Sequence, residues 1–258
     1  MKKYLLELIK RKDLLLYLVL SGIKAQYRNT FMGYFWWILE PLLMGLVYFF
    51  LRVVILRMEG DYIGAFLIIG LLAWKWVSSA SSASTTSISG KAGIITQVYI
   101  PKAIFPFGTN LSQSVNFTFG LVVIAFFLAF YRLTPGIEIL WLPVIMIIQF
   151  MFLSAISLVL GYYATFVRDI NYVLTHLMRF WFYASPVIWE TGRLPERFSY
   201  VLDINPAAVL IISYRNIFMY NSPPELEKLL ILGLISFAVI AYMVYFYNSN
   251  EHKLIKAL

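Results

Sequence analysis

Apolar residues in this chain come in long unbroken runs, not in the strict alternation of a half-buried strand or the single stripe of a soluble helix. A helix crosses a hydrocarbon layer about 30 Å thick with roughly 20 apolar residues. Six runs reach or approach that length: residues 31–56, broken by Glu40, Pro41 and Arg52; 62 into the Ser/Thr-rich "SSASSASTTS" that begins at Ser78; 103–131; 139–167; 171–189; and 229–247. Between the last two, "INPAAVLIISY" (204–214) is apolar but about half a span long. It reads as a re-entrant or interfacial helix, with Asn205 as cap and Pro206 at its first position. Ahead of the first run, Tyr4, Leu5, Leu8, Ile9, Leu15, Leu16, Val19 and Ile23 alternate with basic clusters. That pattern fits a helix lying in the membrane plane, or a flanking segment that merely carries orienting charge. The expected fold is an all-α integral membrane protein, a single transmembrane domain over 1–258. It has an N-terminal amphipathic interfacial helix (1–30), six transmembrane helices (31–248), short re-entrant helices between spans 5 and 6 (195–220) and a terminal tail (249–258).

Composition agrees. The chain is 61% hydrophobic and only 13% charged, with a mean hydropathy of +0.77, whereas a soluble domain carries about 25% charged residues. The net charge of +8 then reflects basic loops, not a nucleic-acid partner. Lys2, Lys3, Lys10, Arg11, Lys12, Lys24, Arg28, Lys91, Lys102, Arg168, Lys253 and Lys256 fall on one side of the predicted topology, and Arg52, Arg57, Arg132, Arg193, Arg197 and Arg215 on the other. The excess places both termini in the cytoplasm of a multi-pass protein of the cytoplasmic membrane. The short run "LLLYLVL" lacks a small-residue cleavage site and does not read as a signal peptide.

Catalytic chemistry is sparse. No G-x-x-x-x-G-K-[ST] phosphate loop occurs, since Gly90-Lys91 is followed by Ala92. There is no cysteine, and His176 and His252 form no metal spacing, so no metal site and no cofactor held by this chain is expected. The serines of 78–89 have no nearby His or paired acid and read as small residues for helix packing. The sequons at Asn110 and Asn116 fall in or beside the third span and read as chance. What remains is aromatic. Tyr34, Trp37, Pro41 and Tyr48 follow helical spacing on the first span; Arg179, Phe182, Tyr183, Pro186 and Glu190 do so on the fifth. Trp36, Trp141 and Trp189 suit an interfacial belt. Arg179 lies about 14 Å into its helix, too deep to face lipid cheaply. Either it pairs with a carboxylate such as Glu40 or it serves a substrate path; the two are compatible.

Four segments in order carry a resemblance: "YRNTFMGYFWWILEPLL", "QVYIPKAIFPF", "FVRDINYVLTHLMRFWFYASPVIW" and "DINPAAVLIISYRNIFMY". Together they resemble the membrane subunits of polysaccharide-exporting ABC transporters, of the ABC-2 type. "FYASPVIWETGRLPE" and "SYRNIFMY" are most similar to wall teichoic acid translocation permeases; O-antigen and capsular polysaccharide permeases share the skeleton. Met32 replaces the usual Leu before the first-span glycine. The resemblance implies a permease half without enzymatic activity of its own. It would pair with a second copy and two ABC ATPase subunits that bind ATP and Mg, and export an undecaprenyl-pyrophosphate-linked polymer. It makes 88–102 the coupling segment, with Ile95, Tyr99 and Lys102 toward the ATPase. Arg168 and Asp169 then mark the cytoplasmic mouth, and Tyr34, Trp37, Tyr48, Arg179, Phe182 and Tyr183 the substrate path among membrane lipids. An ion-coupled secondary transporter with Glu40 as its acid, or an intramembrane transferase acting on a polyprenyl-phosphate lipid, are the alternatives.

Overall fold

The structure is a computed structural model that describes residues 4, 7, 8, 10–27, 30–57, 60–95, 97 and 99–257. Leu5, Ile9, Lys2, Lys3 and Arg28 of the N-terminal pattern lie outside the described residues. The described residues fold as helices and their connections. In chain order these are α1 (Lys12–Tyr27), α2 (Trp36–Phe49, extended by a π-helical turn at Phe50–Ile55), α3 (Ile63–Ser84), α4 (Ala92–Ile95), α5 (Ile104–Phe130), α6 (Leu142–Phe166), α7 (Ile170–Ala184), α8 (Tyr200–Ile204), α9 (Pro206–Arg215, extended at Asn216–Tyr220) and α10 (Leu226–Ala257).

Among the described residues five helices are long and apolar enough to cross a membrane: Gly33–Ile55, Ile63–Ser84, Ile104–Phe130, Ile137–Phe166 and Leu226–Ala257. The fifth predicted span differs. Helix α7 has 15 residues, about 22 Å, and stops at Ala184, because Ser185 before Pro186 is extended. A helical segment at Glu196–Ile204 and another at Pro206–Tyr220 then meet at a bend of 93°. Asn205 caps α9 as its position predicts, its Oδ1 accepting from the N–H groups of Ala207 (3.1 Å) and Ala208 (3.4 Å). The sixth span outruns its predicted end. Helix α10 continues to Ala257, and Leu254 is fully buried, so the segment expected as a tail is helical and packed as far as residue 257.

Helix α3 is the centre of the bundle, with 78% of its apolar window buried inside the chain against 11% for Gly33–Ile55. Side-chain hydrogen bonds fasten its neighbours around it. Gln149 of α6 donates to the Ala73 carbonyl (3.1 Å) and accepts from the Tyr214 hydroxyl of α9 (2.8 Å). Asn110 of α5 accepts from the Trp76 indole and donates to Ser154, and Ser84 meets Ser157 at 2.7 Å. Such bonds between spans replace the hydrophobic drive that lipid removes. Asn110 is wholly buried, which takes its sequon out of reach. A second core gathers Ile88, Ile95, Ile100, Phe105, Leu158, Tyr162 and Tyr247 at the end of the bundle where α1 packs on α5; below, this is the α1 end. Along α1, Val19 and Ile23 are buried while Leu16, Tyr17 and Leu20 stay exposed.

Close approach makes one glycine on α3 obligatory. A Cβ on Gly70 would lie 2.6 Å from Nη2 of Arg215 and 2.7 Å from the Val187 carbonyl oxygen. Gly70→Ala is expected to destabilise the fold by about 1–3 kcal/mol. Gly192→Ala, which meets nothing within 4 Å, should stay within about 0.5 kcal/mol. Thermal unfolding in detergent compares the two, and equal melting points would refute the packing argument.

Candidate functional site

The break after α7 frees a row of carbonyls, and side chains take them up. Asn205 Nδ2 donates to the Ala184 carbonyl (3.3 Å). The Ser185 carbonyl accepts from Val187 N–H at 2.7 Å. Arg215 donates to Pro186 (2.5 Å) and Val187 (2.7 Å), and Arg52 to Ile188 (3.5 Å). Arg215 also donates to the Phe66 carbonyl and lies 3.3 Å from the centroid of the Phe66 ring; Arg52 pairs with Glu190. Both arginines are almost fully buried, at 2% and 3% exposure. The charge count assigns them only to one side of the membrane; in the structure they are interior clamps that hold the end of α7 against α3 and α9. Glu190, read as part of the fifth helix, lies beyond its end and serves as Arg52's partner.

The clamped helix forms one wall of a groove of about 530 Å³. Its other walls are Met44 and Tyr48 of α2 and Trp74, Ser78 and Ser82 of α3; α7 contributes Thr175, Met178, Arg179, Phe182 and Tyr183. Phe182 is buried between the rings of Tyr48 (5.3 Å) and Trp74 (5.7 Å), so it backs the wall, whereas Tyr183 is 61% exposed. Arg179 is exposed in the chain and has no carboxylate within ion-pair distance among the described residues. The expected Glu40 partner is taken: Glu40 pairs with Lys75 of α3 at 2.8 Å. Two of the six expected path residues lie elsewhere. Trp37 stacks on Phe119 of α5 at 3.9 Å beside a separate small cavity. Tyr34 sits in the 3-10 turn before α2 and contacts Trp37. Helix α2 crosses its neighbours, so the same face meets α5 near its start and α7 near its end.

At the α1 end, residues 88–102 form a 3-10 turn at Ser89–Lys91 and the single turn of α4. Ile95 is 3% exposed in the second core, so it is not a surface anchor; Ile94, at 44%, is the exposed neighbour. Lys102 is likewise no surface cation. It is wholly buried, with Nζ 3.6 Å from Glu251 of α10 and its N–H on the same carboxylate at 2.8 Å. Tyr99 donates its hydroxyl to Glu251 (3.2 Å) while much of its ring stays exposed. Burial and then the Glu251 carboxylate hold this phenol up to about 12, so it remains a donor at neutral pH. Arg168 and Asp169 lie where α6 turns into α7, both exposed.

Comparison with known proteins places this arrangement. Residues 13–219 match the family described as ABC-2 type transporter. The chain belongs to that family. An O-antigen export system permease protein RfbA of Klebsiella pneumoniae is 28% identical over 247 residues, 95% of each chain. The protein of the same name from Myxococcus xanthus is 29% identical over 236 residues, 91% of each. As ABC-2 membrane domain, the chain combines a rigid centre on α3 with an open aromatic groove between α2 and α7. Sequence reasoning missed Trp74, Ser78, Ser82 and Thr175. The step of four from Trp74 to Ser78 to Ser82 puts them on one face, a signal hidden because the serines were taken together as packing residues. The structure divides them: Ser81, Ser84 and Ser87 are buried, while Ser78 and Ser82 line the groove.

Removing one partner of a buried ion pair leaves an uncompensated charge. Glu251→Ala strands Lys102 and should cost about 3–5 kcal/mol of stability. The double change Lys102→Met with Glu251→Leu should recover most of it. Detergent melting curves decide, and a silent Glu251→Ala would show that the pair does not hold the α1 end together.

Proposed function

We propose that this chain is the membrane half of an ATP-driven exporter that moves a lipid-linked polysaccharide across the cytoplasmic membrane, with both termini in the cytoplasm. The observation that carries the reading is the groove between α2 and α7, which joins aromatic rings, hydroxyls and an arginine with no carboxylate partner among the described residues in an ABC-2 domain. Its similarity to O-antigen export permeases supports the cargo class. A sliding polymer needs many weak contacts, and aromatic faces supply them to sugar C–H groups without trapping the chain. Arg179 adds attraction for phosphate. Two copies pair through the sparsely covered α2 and the exposed Val173, Leu177 and Phe180 of α7, so that the two grooves share one path. Two separate ATPase subunits, which bind ATP and Mg, seat on the 88–102 segment through Ile94 and Tyr99. The basic α1, with one apolar face in the protein and another exposed, lies in the membrane surface beside them. Against ion coupling through Glu40 stands its pairing with Lys75.

Export assays on the reconstituted permease and ATPase test the path. Tyr48→Ala and Phe182→Ala should lower polymer export several-fold while basal ATP hydrolysis and assembly persist. Arg179→Gln should do so most for a phosphate-rich, teichoic-acid-type cargo and least for a neutral glycan. Normal export by all three variants would refute the groove as path.

Docking is read separately. Tyr99→Asp should release the ATPase in pull-downs while the chain still inserts, and a fully active Tyr99→Asp complex would move the docking site elsewhere.

A further inference from the structure

The groove between α2 and α7 is tied at the end away from α1. On α2 its lining residues Met44 and Tyr48 are one turn apart, and the same step of four leads on to Arg52. Arg52 stands in the π-helical turn at Phe50–Ile55, a distortion frequent at functional points of helices. On the other wall α7 ends at Ala184, just past the lining residue Tyr183. Arg52 reaches the segment that follows, donating to the Ile188 carbonyl at 3.5 Å and pairing with Glu190. It therefore joins the two walls one turn beyond the last groove ring of α2.

The two buried arginines differ in how firmly they hold. Arg215 donates to the backbone carbonyls of Phe66, Pro186 and Val187, and all three lie outside α2. Arg52 has one carbonyl, at the limit of hydrogen-bonding distance, and a carboxylate that is half-exposed and so exchanges readily with water. Its Nε is buried with no partner among the described residues, so the tie leaves a donor unmet. Its charge also stands against that of Arg215. The two guanidinium carbons lie 4.5 and 3.3 Å from the centroid of the same Phe66 ring, and Glu190 is the carboxylate that offsets their repulsion. If Arg52 lets go, Arg215 and Asn205 still hold the end of α7.

We propose that Arg52 and Glu190 form a releasable latch, which holds α2 to the chain beyond α7 and keeps the groove shut at the end away from α1 until polymer passes. The inference rests on the exporter reading, in which the groove is the path. Helix α2 is the wall that moves, because little of it is buried within the chain, whereas α3 is surrounded. Arg215 is the fixed clamp and Arg52 the catch that opens.

The chain has no cysteine, so an added thiol reports on one position alone. The test uses the full chain with its ATPase in vesicles, with Met44→Cys as reporter in the groove. A membrane-impermeant maleimide is added on the side opposite the ATPase, without ATP. Labelling of the otherwise unsubstituted complex should be slow. Glu190→Gln keeps the shape of the side chain, removes the charge-assisted bond and should speed labelling about fivefold or more. A lower melting point with unchanged labelling would make the pair a static clamp and overturn the latch. A second variant, Arg52→Cys with Glu190→Cys and no reporter, is joined by a reducible thiol-bridging reagent. Bridged, it should export several-fold less polymer than after reduction, with ATP binding unchanged; equal export before and after reduction overturns the latch. Labelling needs no cargo, and export by the unsubstituted complex is scored apart, so the exporter reading and the latch fail distinguishably.

Discussion

A membrane offers no water to a backbone carbonyl, so a helix that stops inside a membrane protein must find partners for the groups it releases. Helix α7 stops at Ala184, and every carbonyl from Ala184 to Ile188 is taken up, by Asn205, Val187 N–H, Arg215 and Arg52. This explains two arginines buried at 2% and 3% exposure, which would be costly if they faced lipid. Guanidinium groups suit the task because each carries several donors in a rigid fork. Without these clamps the end of α7 would have no fixed position relative to α3.

From that fixed end the rest of α7 is lightly held. It buries only Leu174, Met178 and Phe182, a single stripe, and the Thr85–Asn171 bond fastens it at the α1 end. Helix α3, by contrast, is surrounded and cross-bonded on several sides. The open groove follows from this difference: a fully packed α7 would close it, and an unclamped one would leave it without a wall. The groove's chemistry is correspondingly mild, with rings, hydroxyls and one cation but no nucleophile paired with a base.

The α1 end is organised by a different device. Glu251, near the end of α10, gathers the Tyr99 hydroxyl and the N–H and ammonium of Lys102. It ties the last helix to the segment that joins α3 to α5, so a force applied at Tyr99 reaches α10 and α5 together. In the exporter reading this is how events at the ATPase surface would be felt in the spans.

How much was legible without the structure follows the range of each interaction. Hydropathy located five of the long helices, because crossing a membrane imposes a length and an apolar composition that a window of sequence records directly. Asn205-Pro206 as a helix start was legible for the same reason, since a cap acts over three residues. Helical spacing also singled out Tyr48 on one helix and Arg179, Phe182 and Tyr183 on another, and the structure brings the four to one groove. It could not show that Trp37, on the same face as Tyr48, meets α5 instead, because that depends on how α2 crosses its neighbours. Nor could charge counting tell a loop arginine from Arg52 or Arg215, or choose Lys75 over Arg179 as the partner of Glu40. Those partners lie 28 to 149 residues apart in sequence, and only the packing of whole helices brings them within hydrogen-bonding reach.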